Sequence, residues 1–106
     1  NDTFTYEARG QILIIHLPKE LDHHNAEAVR RQADRMLERF MILRLVVDFQ
    51  DTEFMDSSGI GIVLGRYKVV SKGGGRLRII NANRRVERIL RMAGIFSIAE
   101  YRQRRA

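Results

Sequence analysis

The sequence predicts an α/β fold: one mixed, mostly parallel sheet with an antiparallel first strand, its elements in the order β-β-α-β-α-β-α-β. Three observations carry this. Residues 43–49 are almost continuously apolar, the pattern of a parallel strand covered on both sides. Two β-rich runs open the chain, residues 4–7 and 11–17, separated by Ala8-Arg9-Gly10, where glycine can supply the positive φ of a tight turn. After them, stretches of helical periodicity alternate with short apolar runs, and right-handed crossovers place the strands of such units side by side in chain order.

In order, the first two runs read as a hairpin. Pro18 ends the second strand, because proline has no N–H to give to a ladder. Glu20-Leu21-Asp22-His23-His24-Asn25 then leads into a helix that either Asp22 or Asn25 can cap. Ala26, Val29, Ala33, Met36, Leu37 and Phe40 recur there at helical spacing, with Glu27, Arg30, Arg31, Arg35 and Arg39 on the other face, so the helix covers a sheet on one side. The strand at 43–49 is joined to a second helix carrying Ile60, Val63, Leu64 and Tyr67 on one face. Ser57 and Ser58 sit at its start. A hydroxyl there can cap the free N–H groups of the first turn, and the positive end of the helix dipole equally favours a negative group placed on that hydroxyl. Ser71-Lys72-Gly73-Gly74-Gly75 breaks the pattern, because consecutive glycines forfeit helix propensity and packing. Residues 76–80 form a short strand, Asn81 or Asn83 caps a helix over residues 84–92 with Val86, Ile89 and Leu90 inward, and Gly94 fits the αL position that ends it. Residues 95–101 read as a last short strand.

With 106 residues and 44% hydrophobic content, residues 1–106 form one domain. The absence of cysteine excludes a disulfide framework, a thiolate metal site and a thiol nucleophile. No apolar run approaches the ~20 residues of a membrane span, and Asn1-Asp2-Thr3 lacks the features of a signal peptide, so a cytoplasmic protein with no membrane association is expected. Net charge is +6, and residues 84–106 hold seven arginines against Glu87 and Glu100, so most of the excess lies in the last quarter. Its two aromatics, Phe96 and Tyr101, are not interleaved regularly with the arginines as a stacking platform needs, so that basic end does not predict a specific nucleic-acid partner. Gly73-Gly74-Gly75 is not a phosphate loop, since no lysine and hydroxyl residue follow it. His23 and His24 are adjacent and would diverge by ~100° on a helix, and with His16 distant no spacing fits a metal; they read as polar helix-entry residues. Asp48, Asp51 and Asp56 lie near the C-terminal end of the central strand, where open α/β sheets place their chemistry. A phosphoaspartate receiver would need an acidic pair after its first strand and a lysine near its last, and neither Ala8-Arg9-Gly10 nor the lysine-free stretch after Lys72 supplies them. Gly61 and Gly65, one turn apart, mark one side of the second helix as nearly bare backbone, suited to close packing on the sheet or to a flat docking surface.

Phe54-Met55-Asp56-Ser57-Ser58-Gly59-Ile60-Gly61, followed by Leu64-Gly65-Arg66-Tyr67-Lys68, resembles the signature of the STAS-domain anti-sigma factor antagonists, the sporulation type of firmicute bacteria in particular. The resemblance extends to Glu20-Leu21-Asp22-His23-His24 and Met92-Ala93-Gly94-Ile95-Phe96, and so covers most of the chain. It implies the STAS fold and a cytoplasmic bacterial regulator of transcription that is no enzyme but the substrate of one. In such partner switching, the partner is an ATP- or ADP-bound anti-sigma factor serine kinase, which uses ATP to phosphorylate the serine matched by Ser57, and a serine phosphatase restores it. The unphosphorylated form binds the kinase and displaces the sigma factor. Asp22 matches an aspartate on the loop beside the phosphorylation site, and Asp56, Ser57, Ser58, Gly59 and Gly61 fall in the matched partner-binding turn and helix. The resemblance implies a monomer with no cofactor and no metal. Members are commonly acidic, unlike this chain, and usually continue into a further C-terminal helix. The competing function class is a STAS scaffold, a ligand-sensing interaction module or a piece of an anion transporter; Asp56-Ser57-Ser58-Gly59 argues for the antagonist, because transporter modules do not depend on that serine.

Overall fold

The computed structural model describes residues 4–104. A hairpin of β1 (Thr5–Arg9) and β2 (Ile12–His16) is followed by β3 (Glu20–Leu21), α1 (Ala26–Arg39), β4 (Arg44–Asp48), β5 (Phe54–Met55), α2 (Ser57–Lys72), β6 (Arg76–Ile80), α3 (Arg84–Met92), a 3-10 turn (Ile95–Ser97) and β7 (Glu100–Arg102). Five strands make one sheet in the order β1-β2-β4-β6-β7, with β1 antiparallel to β2 and the remaining pairs parallel. Strand order and direction match the sequence reading, and Gly10 makes the hairpin turn at φ +56°.

Alternate sheet residues build the core. Leu13, Ile15, Leu45, Val47, Leu77 and Ile79 are at most 1% exposed and join one cluster with Val29 and Ala33 of α1, Ile62 and Val63 of α2, and Val86 and Leu90 of α3. Burying each such aliphatic side chain contributes about 1.5–3 kcal/mol, and that clustering puts all three helices on one face of the sheet. The continuous apolarity of β4 had suggested a cover on both sides. Val46 points to the second face and lies outside the core cluster; its burial, to 7% exposure, comes in register from Ile14 and Arg78 on the flanking strands.

Three local expectations are corrected. The face that α2 buries is Gly59, Ile62, Val63, Arg66 and Val70, whereas Ile60, Leu64 and Tyr67 pack only partly against the core, because α2 is wedged between α1 and α3 and uses its flanks as well as its base. The last strand is shorter than residues 95–101. Gly94, at φ +77°, ends α3 as expected, but the chain then closes a 3-10 turn that buries Ile95 before β7 can pair with β6. Beside the main sheet, β3 and β5 form a second, two-stranded parallel ladder that the sequence did not announce. Around it the two loops are laced together: Thr52 Oγ1 donates to the Pro18 carbonyl at 2.9 Å, Glu53 N–H to the Lys19 carbonyl at 2.7 Å and Asp56 N–H to the Leu21 carbonyl at 3.1 Å.

Candidate functional site

The start of α2 is capped by an aspartate and not by a serine. Asp56 is extended (φ −103°, ψ −172°), and its Oδ1 accepts the Ser58 N–H at 2.8 Å. A carboxylate satisfies an orphan amide as well as a hydroxyl does and adds a favourable charge at the positive end of the dipole. Ser57 is therefore the first helical residue; it is exposed, and its hydroxyl makes no hydrogen bond among the described residues. Ser58 is half-buried. Burial alone would raise the Asp56 pKa, but hydrogen bonds from Ser58 and His23 outweigh it and hold the carboxyl below its usual value.

Gly59 is buried where the β3–β5 ladder passes against the first turn of α2. A Cβ there would collide with the Met55 side chain and stand 3.1 Å from Leu21 Cδ2. Gly61 and Gly65 behave differently: a Cβ on either meets nothing within 4 Å, so close packing on the sheet does not explain them. Ser57, Gly61 and Gly65 recur every fourth residue and share one side of the helix, leaving a strip of accessible backbone headed by the free hydroxyl.

The ladder brings the second predicted loop to this turn. Asp22 is half-buried; its Oδ1 accepts the His24 N–H at 2.9 Å, and its carbonyl accepts the Ala26 N–H at 2.9 Å. The side chains expected to cap α1 are engaged elsewhere. Asn25 makes no side-chain cap; its Oδ1 accepts the Asp22 N–H at 3.0 Å and its Nδ2 donates to the Glu20 carbonyl at 2.7 Å, pinning the loop to β3. Between Asp22 and Asp56 stands His23, whose N–H donates to Asp56 Oδ2 at 3.2 Å and whose Nδ1 lies 3.5 Å from the same oxygen. The His23 and His24 rings lie in contact, tilted by 36° with centroids 4.0 Å apart. Asp22, His23, Asp56, Ser57, Ser58, Gly59 and Gly61 thus share one corner of the molecule. His23 as the link was missed by sequence reasoning, since the two-residue strands that bring it there carry no periodicity.

Asp48 is not part of this corner. It is 8% exposed, and its carboxylate is occupied by His16 Nδ1 and Asn81 Nδ2 at 2.8 and 2.9 Å and by the Gln50 N–H at 2.9 Å. No group of three or more metal-ligating side chains converges among the described residues, and no helix among them is long and apolar enough to cross a membrane.

The family profile of the STAS domain matches residues 3–105. The chain belongs to the STAS-domain family. Among its relatives, the anti-sigma F factor antagonist of Paenibacillus polymyxa is 41% identical over 87 residues, covering 82% of this chain and 74% of that protein. The anti-sigma-B factor antagonist of Bacillus subtilis is 29% identical over 86 residues, 81% of this chain and 77% of that protein. Among solved structures, unphosphorylated SpoIIAA, an anti-sigma factor antagonist, superposes with a TM-score of 0.83 at 28% identity, over 93% of this chain and 87% of that one. Phosphorylated Bacillus SpoIIAA gives 0.75 at 27% identity, over 93% of this chain and 90% of that one. The murine anion transporter Slc26a9 shares the fold alone, at 18% identity over 15% of its length. Anti-sigma factor antagonists are regulatory proteins that interact with anti-sigma factors, and the relatives of this STAS domain carry that name.

Proposed function

We propose that this protein is an anti-sigma factor antagonist whose unphosphorylated form binds an anti-sigma factor serine kinase and releases the sigma factor, and that phosphorylation of Ser57 switches it off. The observation that carries the reading is the exposed, unpartnered Ser57 hydroxyl at the first position of α2, with the cap already supplied by Asp56. A serine that capped would lose its hydrogen bond on modification; this one loses nothing. The kinase, holding ATP, directs Ser57 Oγ to the γ-phosphorus; the new O–P bond forms as the bond to ADP breaks, and the hydroxyl proton leaves to a base of the kinase. The product gains about −1.5 to −2 charges where the helix dipole favours them, so the fold persists and the effect falls on binding.

The partner surface in this reading is the corner formed by Asp22, Asp56, Ser57 and Ser58, continued along the open backbone at Gly61. Gly59 serves it indirectly, by letting α2 approach the β3–β5 ladder. A serine phosphatase completes the cycle. If an interface closes over the turn, an unpaired phosphate must lose its water, and a penalty of ~3 kcal/mol weakens the complex about 100-fold.

The test is to incubate the protein with its cognate kinase and ATP, map the phosphate by mass spectrometry, and compare kinase affinity before and after. Phosphate on Ser57 with a large loss of affinity is expected. Phosphate mapped solely to Ser58, or equal affinity of the two forms, would overturn the assignment.

A further inference from the structure

The sheet has a second face, and no described helix lies over it. In register across the strands it has three rows: Arg9, Ile12, Arg44 and Arg76 at the strand starts; Glu7, Ile14, Val46, Arg78 and Glu100 in the middle; and Thr5, His16, Asp48, Ile80 and Arg102 at the far end. Cross-strand neighbours point to the same side, and the intervening residues of β2, β4 and β6 are those of the helix-covered core, which fixes the direction of these rows. Ile12, Ile14, Val46 and Ile80 belong neither to the core cluster nor to its apolar fringe. They form an aliphatic strip running diagonally from the start of β2 to the end of β6.

Charge is divided by that strip. On one flank stand Arg44, Arg76 and Arg78, none of which makes an ion pair among the described residues, although Arg78 is opposite Glu100 in the ladder. On the other flank the acids are engaged internally, His16 holding Glu7 and Asp48, each at 2.8 Å, and Arg9 stands at the edge beside Ile12. A mostly parallel sheet is ordinarily covered on both faces, and no element among the described residues covers this one, which is aliphatic along one line and cationic along one side.

We infer that this face docks an amphipathic helix of a partner protein, whose apolar stripe lies on Ile12, Ile14 and Ile80, with the buried Val46 beneath them, and whose acidic flank meets Arg44, Arg76 and Arg78. Two features decide for an acidic helix over a nucleic acid. The strip is aliphatic, and sheet surfaces that read single strands stack bases on aromatic rings, of which these rows contain none. Apart from Arg9, at the β1 edge, the guanidiniums of this face also lie along one side of an apolar line, which complements a helix with one charged edge, whereas a phosphate backbone needs cations without the greasy strip. This site is on the sheet face turned away from α2, so it would let the protein hold a second partner independently of the state of Ser57.

The experiment uses the intact, isotope-labelled protein and three synthetic helical peptides of equal length: one with a leucine stripe and glutamates along one flank, one with the same stripe and lysines, and one with the glutamates but no stripe. The first is expected to bind, to shift the amides of β2, β4 and β6, to weaken with salt, and to lose about tenfold or more in affinity with Arg44→Glu/Arg76→Glu, a substitution of exposed residues checked by thermal melting. Ser57→Asp should leave this binding unchanged, so its failure and that of the antagonist reading are separable. The inference is overturned if no acid-flanked peptide binds, if its shifts centre on the start of α2, if the lysine peptide binds equally, if a short RNA binds this face more tightly, or if sedimentation shows a second copy of the chain covering it.

Discussion

At Gly59 a Cβ would run into Met55 and Leu21, both at most 1% exposed, whereas at Gly61, two residues on, it would meet open space. The same substitution should therefore have opposite effects. Gly59→Ala forces a buried side chain out of place and is expected to destabilise by about 1–3 kcal/mol. Gly61→Ala removes a helix-interior glycine at no steric cost and should stabilise by up to ~1 kcal/mol, while its methyl stands on the proposed docking strip and weakens kinase binding. Urea unfolding and a kinase titration of both variants check the pair; a Gly61→Ala protein that is destabilised would restore a packing role for that glycine. The capping assignment is tested in the same way. Asp56→Ala should cost about 1 kcal/mol, and Asp56→Asn, which keeps the acceptor for the Ser58 N–H, much less. If Ser57→Ala proved the more destabilising change, the serine would be the cap after all.

Between elements, α1 and α2 are joined by a pair that no helical wheel would place inside. Arg66 is 5% exposed; its Nε lies 3.0 Å from Asp34 Oδ1 without the alignment of a hydrogen bond, and its Nη1 has no partner among the described residues. Removing Asp34 leaves a buried cation uncompensated. The full cost of that is about 3–5 kcal/mol, but Asp34 is 28% exposed, so solvent screening brings the expected loss for Asp34→Ala to about 1–3 kcal/mol. Adding Arg66→Met should recover most of it, which a double-mutant cycle in urea measures; additive losses would show that the two residues do not interact. Arg66 escaped the sequence because the inward face of α2 was read from Ile60, Val63, Leu64 and Tyr67, and periodicity alone cannot tell a buried charge from a solvated one. The β3–β5 ladder escaped for another reason. Glu20-Leu21 and Phe54-Met55 are too short to carry a period, and their pairing is enforced by carbonyls of Pro18, Lys19 and Leu21 more than thirty residues from their donors. The motif residues were legible because their chemistry is contiguous, whereas His23 reaches Asp56 only through this long-range lacing.

For the whole molecule, strand order and handedness were legible because one apolar strand and three periodic helices leave little topological freedom, but the distribution of charge was not. Linear counting assigned the basicity to residues 84–106, while the fold gathers Arg9, Arg44, Arg76, Arg78 and Arg102 on one sheet face from strands far apart in sequence. At the far end of that face the three neighbouring strands β1, β2 and β4 are clasped by one ring. His16 Nδ1 faces Asp48 and Nε2 faces Glu7, so only the imidazolium, with two N–H donors, satisfies both carboxylates. Burial alone would lower the His16 pKa, but the hydrogen bonds and charges of Glu7 and Asp48 outweigh it, and the folded value lies above 6.5. The folded state then holds this proton more tightly than the unfolded chain, so the clasp contributes fully below pH 6.5 and is lost as pH rises through the raised folded value. Thermal melts of the wild type should accordingly show a component of stability that falls as pH climbs from about 6 towards 8, the range in which histidine titrates. His16→Gln, whose donors sit on a single uncharged nitrogen and which does not titrate, should be less stable at pH ~6 and should flatten that component. A wild-type stability that instead rises over this range, or a His16→Gln protein with the same pH profile, would show that the edge strand is held without the charged ring.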